Sequence, residues 1–211
     1  DGGISNIVER VKSIPNRSHG NTPESAMGLN PDVVLISDFF PPESYQTLRD
    51  MGMKVYVYDT PSNFKEIKAS ILEIAQVVGE LEKGKQIVAE MDARIQKLQE
   101  KLGDIKEKRK VLFMHAFGAY YSPKGTFNDT CSLAGVEDVT RNLNYSQPCT
   151  LSQETIVQLN PDSFVIGDWN FDGKHSPDAL KEEILSNQSY MTTNAGKNKS
   201  IIVIPSAHLL T

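Results

Sequence analysis

The sequence of 211 residues has no apolar run long enough to cross a membrane and only a small excess of charge. A transmembrane helix needs about 20 predominantly apolar residues, so we expect a chain that is not embedded in a bilayer. Proteins that bind nucleic-acid phosphates usually present a basic excess or a concentrated basic face, whereas the formal net charge here is −5 at pH 7. The composition, 39% hydrophobic and 23% charged, is that of an ordinary globular protein, and we predict no nucleic-acid partner.

The sequence also lacks the short motifs that mark common catalytic sites. No glycine-rich phosphate loop follows a predicted strand, and the GxSxG nucleophile elbow is absent. The histidines His19, His115, His175 and His208 are too widely spaced to form a short metal-binding motif. We therefore predict no catalytic residue, no cofactor and no local metal motif. If a metal site is assembled from distant positions, His115 and His208 are its first candidates.

Cysteine is scarce, with only Cys131 and Cys149 in the whole sequence. A pair of cysteines is compatible with one disulfide in an exported protein, or with two buried thiols in a cytosolic protein. Of these two alternatives, we favour a disulfide between Cys131 and Cys149.

One unit occurs twice, as "ESAMGLNPDVVLI" at Glu24 to Ile36 and as "ETIVQLNPDSFVI" at Glu154 to Ile166. In each copy the apolar residues after the glutamate have helical spacing until Asn-Pro, where the residue before proline disfavours the α conformation. The continuous apolar run that follows is typical of a strand buried on both faces of a parallel sheet. Each copy therefore predicts a helix, a tight turn and a buried strand.

Helices and strands are predicted to alternate through both halves of the chain, which indicates an α/β fold with mainly parallel sheets. Between the halves, the range 62–103 contains no proline and repeats apolar residues at steps of three and four. Gly79 and Gly84 favour a kink or a break at 79–84. We predict an N-terminal lobe at 1–61, a long connecting helix at 62–103 and a C-terminal lobe at 104–211. The alternative for this helix is a coiled-coil dimer. The apolar residues do not keep the strict seven-residue repeat of a coiled coil, which disfavours this alternative.

Aromatic residues are concentrated just after the predicted strands. In open parallel sheets ligands bind beyond the carboxyl ends of the strands, so these positions are the candidates for ligand contact. Flat rings would pack a ligand, and a lysine would offset its negative charge. Taken singly, each ring is more typical of a packing residue than of a ligand contact; collected at the strand ends of two lobes, the rings would line one binding surface. The predicted ligand-contact residues are Phe39, Phe40, Tyr120, Tyr121, Lys124, Trp169 and Asn170.

The order and spacing of several motifs resemble a known family over essentially the whole chain. Besides the two repeat copies, these motifs are "LRDMGMKVYVYD", "VVGELEKGKQIVAEMDARI" and "GTFNDTCSLAGVEDV". Together they resemble the substrate-binding proteins of ABC importers for cobalamin, iron–siderophore complexes and haem. The resemblance implies two Rossmann-like lobes joined by a long rigid helix, with the ligand in a cleft between the lobes. Family members usually have a further strand–helix segment before, and a helix after, the part that this sequence matches.

The resemblance also implies a function and partners. We expect a monomeric, non-enzymatic extracytoplasmic protein, in the periplasm or at the cell surface as a lipoprotein. It would capture an iron–siderophore, corrinoid or haem-like chelate and deliver it to a dimeric ABC permease. Glu24 and Glu154 match the glutamates with which the family docks onto permease arginines, although a first-turn glutamate is also favoured by the helix dipole alone. The alternatives are a bare metal-ion or oxyanion binder of the same fold, and a two-lobed α/β enzyme.

Overall fold

The computed structural model describes residues 7–15, 22–123, 125–168 and 176–206. The chain divides into two compact units. The first unit is Arg10–Lys97, and the second unit is Asp1–Glu9 with Leu98–Thr211.

The first unit contains a two-stranded parallel sheet and its flanking helices. Strands β1 (Val34–Ser37) and β2 (Val55–Tyr58) pair in register from Val34 opposite Val55 to Ser37 opposite Tyr58. The helices up to the unit boundary are α1 (Val8–Lys12), α2 (Pro23–Met27), α3 (Pro42–Asp50), α4 (Phe64–Val77) and α5 (Leu81–Leu102). The boundary between the units falls inside α5, between Lys97 and Leu98.

The range predicted as a long connecting helix consists of the two helices α4 and α5. Helix α4 ends at Val77, and Gly79 between the helices has a φ of 78°, a left-handed conformation that glycine adopts without a steric penalty. The two helices then approach closely, because a Cβ atom added at Gly84 of α5 would lie 2.5 Å from the Cβ atom of Ala75. Only glycine at position 84 permits this contact.

The second unit is built on a larger sheet with the strand order β6-β4-β3-β7-β8, and β5 also pairs with β3. Strand β3 is parallel to β5 and β7, and β7 is parallel to β8, whereas β4 is antiparallel to both β3 and β6. The prediction of a mixed α/β fold with mainly parallel sheets is thus confirmed. The strands are β3 (Lys110–His115), β4 (Gly118–Tyr121), β5 (Glu137–Asp138), β6 (Cys149–Thr150), β7 (Ser163–Gly167) and β8 (Ile201–Ile204). The helices are α6 (Phe127–Leu133), α7 (Gln153–Leu159), α8 (Pro177–Ser186) and α9 (Asn194–Lys197), with 3-10 turns at Val139–Asn142 and Tyr190–Thr192.

The core of the second unit lies on both faces of this sheet. Leu112 of β3 and Phe164 of β7 point to one face, where they pack with Ile156 of α7. Val111 and Val165, one residue away along the same strands, point to the other face. Because successive side chains of a strand alternate between faces, a continuous apolar run fills both. The prediction of a strand buried on both faces is confirmed for β7 in the second repeat copy.

The first repeat copy differs in this respect. No residue of β1 is fully buried, and the side chain of Leu35 is 37% exposed. In the described part of the first unit the buried hydrophobic residues are Leu48 and Ala75. The prediction of a fully buried strand is therefore wrong for the first copy, because less structure covers β1 than covers β7.

The predicted disulfide is also wrong, since both cysteines are free. Cys131 packs with Val111 and Val165 on one face of the sheet, whereas Cys149 packs with the cluster on the other face. A disulfide requires the two Cα atoms to lie within about 4.4–6.8 Å of each other, which two side chains separated by a sheet do not satisfy.

Candidate functional site

The two repeat copies begin with the same helix cap. The Oγ atom of Thr22 accepts a 3.3 Å hydrogen bond from the backbone N–H of Ser25, and the Oγ atom of Ser152 accepts a 3.2 Å bond from that of Thr155. Each cap satisfies one of the otherwise unpaired N–H groups of the first turn. The cap residue stands two positions before the repeat's glutamate, so Glu24 and Glu154 both lie exposed in a capped first turn. Sequence reasoning identified the glutamates but not their caps.

The turn predicted at Asn-Pro-Asp has nearly the same backbone in both copies. Asn30 has a φ of 46° and Asn160 a φ of 45°, which is the left-handed region that asparagine tolerates better than most residues. In the second copy the turn is fixed to the sheet, because Asp162 accepts a 2.9 Å hydrogen bond from the backbone N–H of Lys110. This bond is the main cause that lowers the pKa of the Asp162 carboxyl.

An aspartate follows the strand of each repeat copy. It accepts a hydrogen bond from a backbone N–H just beyond the end of the neighbouring parallel strand. The Asp38 Oδ1 atom, directly after β1, accepts a 2.7 Å bond from the backbone N–H of Thr60. The Asp168 Oδ1 atom, directly after β7, accepts a 2.6 Å bond from the backbone N–H of Ser206. The repeat thus extends beyond its strand, and the next residue is aromatic in both copies, Phe39 and Trp169.

Phe39 and Phe40 form an exposed aromatic pair at the carboxyl end of β1. Their side chains are 84% and 48% exposed, and their ring centroids lie 6.2 Å apart in an edge-to-face arrangement. Exposed rings of this size present apolar surface to whatever approaches the strand end. The structure therefore places both of these predicted ligand-contact residues at the surface of the first unit.

Tyr120 and Tyr121 lie on opposite faces of β4. Tyr120 is 40% exposed, whereas Tyr121 is 8% exposed, and its hydroxyl donates a 3.0 Å hydrogen bond to the backbone oxygen of Leu143. The alternation of side chains along a strand requires such a split between neighbours. Tyr121 is thus a core residue whose hydroxyl is already paired, and it offers no surface for ligand contact. Lys124, Trp169, Asn170 and His208 lie outside the described residues.

Tyr120 belongs to an aromatic cluster on the β3–β4 hairpin, which we define as Phe113, His115, Phe117 and Tyr120. The imidazole of His115 stacks on the ring of Phe117 with centroids 4.8 Å apart and an interplanar angle of 7°. Phe113 contacts the same imidazole edge-to-face at 4.4 Å. Phe117 is 62% exposed, and it is the residue that sequence reasoning missed. The signal was the sequence "HAFGAYY", in which Gly118, with a φ of 103°, allows the tight turn of a hairpin.

Partial burial lowers the pKa of the His115 imidazole below its usual range. The side chain is consequently neutral at pH 7, and a neutral imidazole stacks on Phe117 without a charge that the surrounding rings would have to accommodate. The exposed part of the hairpin cluster is therefore an uncharged, mainly aromatic surface at the carboxyl end of β3.

The described residues offer little for a metal site, and their polar cavity lies away from His115 and Phe117. They contain no group of three or more His, Cys, Asp or Glu side chains placed to hold a metal ion. A polar cavity of about 350 Å³ is lined by residues that include Lys108, Glu137 and Arg141. Because Glu137 pairs with Lys110, this cavity lies at the amino end of β3, opposite to His115. None of the helices in the described ranges is long and apolar enough to cross a membrane.

The aromatic residues Phe39, Phe40 and Phe117 thus lie at the carboxyl ends of parallel strands, where ligands bind in open α/β sheets. Residues 7–208 match the family model described as periplasmic binding protein, and the chain belongs to this family. The iron-uptake system-binding protein of Bacillus subtilis is 25% identical over 183 residues, which are 85% of this chain and 56% of that protein. The cobalamin-binding protein of Halobacterium salinarum is 24% identical over 146 residues, which are 68% of this chain and 40% of that protein. The chain thus spans about half the length of these curated relatives.

Among solved structures, the periplasmic heme-binding protein RhuT from Roseiflexus sp. RS-1 superposes with a TM-score of 0.76. The two proteins are 21% identical, and the superposition covers 92% of this chain and 75% of that one. At this level of identity the similarity establishes the fold and not the ligand. The prediction of an α/β fold with mainly parallel sheets, made from the sequence, is confirmed by this comparison.

Proposed function

We propose that the chain is the binding component of an ABC importer, and that it captures a metal chelate of the iron–siderophore, corrinoid or haem type. The observation that supports this most directly is the exposed aromatic surface at the strand ends of each unit. Phe39 and Phe40 provide it in the first unit, and Phe117 with Tyr120 provides it in the second. Relatives whose names refer to iron uptake and cobalamin support the same ligand class.

Aromatic surfaces favour a chelate over a bare ion for a chemical reason. A ring face or edge offers dispersion contacts and a quadrupole to another extended apolar group, such as a macrocycle or a catecholate. A bare cation or oxyanion instead requires several convergent polar atoms at close distance. Lys124, Trp169 and Asn170 remain predicted ligand contacts in this proposal, and Tyr121 is withdrawn from it.

The same proposal assigns Glu24 and Glu154 to docking on a dimeric permease. They stand at equivalent positions of the two repeat copies, exposed and in the first turns of α2 and α7. The backbone N–H of Glu154 and the hydroxyl of Ser152 lower the pKa of the Glu154 carboxyl, which keeps it ionised at neutral pH. Two equivalent carboxylates suit a two-fold partner that presents arginines, because carboxylate–guanidinium pairs are directional.

In this proposal the protein is extracytoplasmic, acts as a monomer and is not an enzyme. It reaches the membrane through the permease or through a lipid anchor. Membership of the periplasmic binding protein family supports the location.

Fluorescence of Trp169, the single tryptophan, provides a test. We would titrate the protein with hemin, cyanocobalamin, a ferric catecholate siderophore, molybdate and free ferric and zinc ions. A saturable quench by at least one chelate, reproduced by calorimetry, is expected. A saturable response to molybdate or a free metal alone would instead favour the ion-binding alternative, with His115 and His208 as the first ligands to replace. If no chelate saturates, the proposal is wrong.

A further inference from the structure

The carboxylate of Asp38 connects the carboxyl ends of β1 and β2 through Thr60. Its Oδ1 atom accepts a 2.7 Å hydrogen bond from the Thr60 backbone N–H and a 2.6 Å bond from the Thr60 hydroxyl. Because the Thr60 hydroxyl has a single proton and donates it to Asp38, it accepts the 2.7 Å bond from the Ser37 hydroxyl. The Asp38 carboxylate, which can only accept, thus determines that Ser37 donates to Thr60 and Thr60 donates to Asp38.

The same network reaches the backbone of the aromatic pair. The Ser37 Oγ atom accepts a 3.1 Å hydrogen bond from the backbone N–H of Phe39, and the Ser37 carbonyl oxygen accepts a 3.1 Å bond from that of Phe40. Phe39 is almost fully exposed, so its side chain has little packing to fix its direction. The backbone from Ser37 to Phe40 therefore sets the directions in which the two side chains leave the chain, and with them the edge-to-face contact between the rings.

The second unit repeats the arrangement independently. Asp168 follows the last residue of β7, as Asp38 follows the last residue of β1. Its partner Ser206 stands two residues after the end of β8, as Thr60 stands two residues after the end of β2. The equivalent placement of the carboxylate and its partner N–H in both units indicates a geometric role that the two repeat copies share.

We propose that Asp38 is a positioning residue for ligand binding: it holds the turn from Ser37 to Phe40 so that the two phenylalanine rings are oriented before the ligand arrives. This inference rests on the proposed function, in which Phe39 and Phe40 contact the ligand. Prior ordering of the rings raises affinity because less side-chain and loop freedom is lost on binding. Asp168 is the equivalent residue of the second unit.

The test uses Asp38→Ala, Asp38→Asn and the control Asp59→Ala in the full chain. Asparagine keeps a carbonyl oxygen that accepts both bonds from Thr60, whereas alanine keeps no acceptor. Asp59 follows the end of β2 and takes no part in the bonds between Asp38 and Thr60, so its replacement removes a nearby negative charge but not the acceptor. Hemin and cyanocobalamin affinities would be measured for each variant, and thermal unfolding would verify that each is folded.

We expect Asp38→Ala to weaken binding of the chelate that saturates the wild type by about tenfold, because it removes the acceptor of both hydrogen bonds from Thr60. Asp38→Asn and Asp59→Ala should stay within about twofold of the wild type, since the acceptor is retained. Equal losses in Asp38→Ala and Asp38→Asn would show that the charge matters and not the position, and would overturn the proposal. Unchanged affinity in Asp38→Ala would overturn it as well.

A second readout does not depend on a ligand. In protein with labelled phenylalanine, NMR should show nuclear Overhauser contacts between the Phe39 and Phe40 rings in the wild type and in Asp38→Asn. These contacts should be lost in Asp38→Ala, and the Thr60 amide should exchange faster with solvent. If hemin, cyanocobalamin and the ferric catecholate siderophore all fail to bind the wild type, the proposed function fails by itself, and the ring contacts alone decide the role of Asp38. Ring contacts that persist in Asp38→Ala would contradict that role.

Discussion

The imidazole of His115 lies parallel to the ring of Phe117, with centroids 4.8 Å apart. The ring of Phe113 contacts the same imidazole edge-to-face, with centroids 4.4 Å apart. His115 stands on β3 and Phe117 in the turn that leads into β4, so the stack lies at the tip of the hairpin. The hairpin cluster combines a partly buried histidine with an exposed phenylalanine. Its titration and its affinity for ligands can therefore be tested separately.

The lowered pKa of His115 predicts a loss of stability in mild acid. Burial disfavours the charged imidazole, so the unfolded chain binds a proton at a higher pH than the folded chain does. The free energy of unfolding should therefore decrease as the pH falls below 6.5, the ordinary pKa of histidine. Above pH 6.5 the imidazole is neutral in both the folded and the unfolded chain, so His115 should cause no such loss of stability.

Urea unfolding of the wild type and of His115→Phe at about pH 7.5, 6.5 and 5.5 would measure this loss. Phenylalanine retains a ring against Phe117 but does not titrate. The difference in stability between the two proteins should shift in favour of His115→Phe as the pH falls. A constant difference over this range would show that His115 titrates normally. Asp138 has a raised pKa and contributes with the opposite sign, and it is present in both proteins.

Phe117 and Tyr121 should separate binding from stability. Phe117 is exposed, so Phe117→Ala should weaken chelate binding by about 5- to 30-fold and change the free energy of unfolding by about 0.5 kcal/mol or less. Tyr121→Phe removes a buried hydroxyl that donates to Leu143, so it should cost about 1 kcal/mol of stability and leave affinity unchanged. Denaturant unfolding and hemin or cyanocobalamin titrations of both variants check the two effects. The opposite pattern would place the ligand on the core side of β4.

Gly84→Ala should destabilise the first unit, because the added Cβ atom would lie 2.5 Å from the Cβ atom of Ala75. Overpacking of a tight contact typically costs about 1–3 kcal/mol. Lys83→Ala, at the exposed neighbouring position of α5, is the matched control and should have little effect. Thermal unfolding monitored by circular dichroism would compare the stabilities of Gly84→Ala and Lys83→Ala. Equal stabilities would mean that α4 and α5 separate readily at this point.

Prediction from the sequence was best for elements whose residue pattern matches the burial that the fold gives them. The strand at Ser163–Gly167 is an example, since its continuous apolar run is buried on both faces of the sheet. The equally apolar β1 remained half-exposed, because burial depends on how much of the fold covers a strand and not on its own residues.

The site was predicted less completely than the fold. The structure places Phe39 and Phe40 exposed beyond the end of β1, where the rule of strand ends predicts ligand contacts. Phe117 was missed because a hairpin turn interrupts the expected order of strand and helix after β3. The bond between Asp38 and Thr60 joins residues 22 positions apart, and only the pairing of β1 with β2 brings them together.

The free cysteines predict unequal reactivity. Burial raises the pKa of the Cys131 thiol to about 12, so almost none of the reactive thiolate is present at neutral pH. Cys149 is only partly buried and should react first with a disulfide reagent such as DTNB. In the native protein we expect one thiol to react readily and the second only after unfolding. The mass of the intact protein should not change on treatment with a reductant. An increase by the mass of two hydrogen atoms would instead reveal a disulfide, which the structure lacks.

The docking glutamates allow a test that leaves the ligand site intact. Glu24→Ala with Glu154→Ala removes one exposed carboxylate from each repeat copy, so delivery to the permease should fall while chelate affinity stays the same. Glu43→Ala is the matched control, because Glu43 is also an exposed first-turn glutamate, in α3, but lies outside the repeat. Uptake of labelled chelate into proteoliposomes that contain the cognate importer would compare the double variant with this control. Equal uptake by both proteins would mean that the two carboxylates serve only their own helices, through the dipole interaction of a first turn.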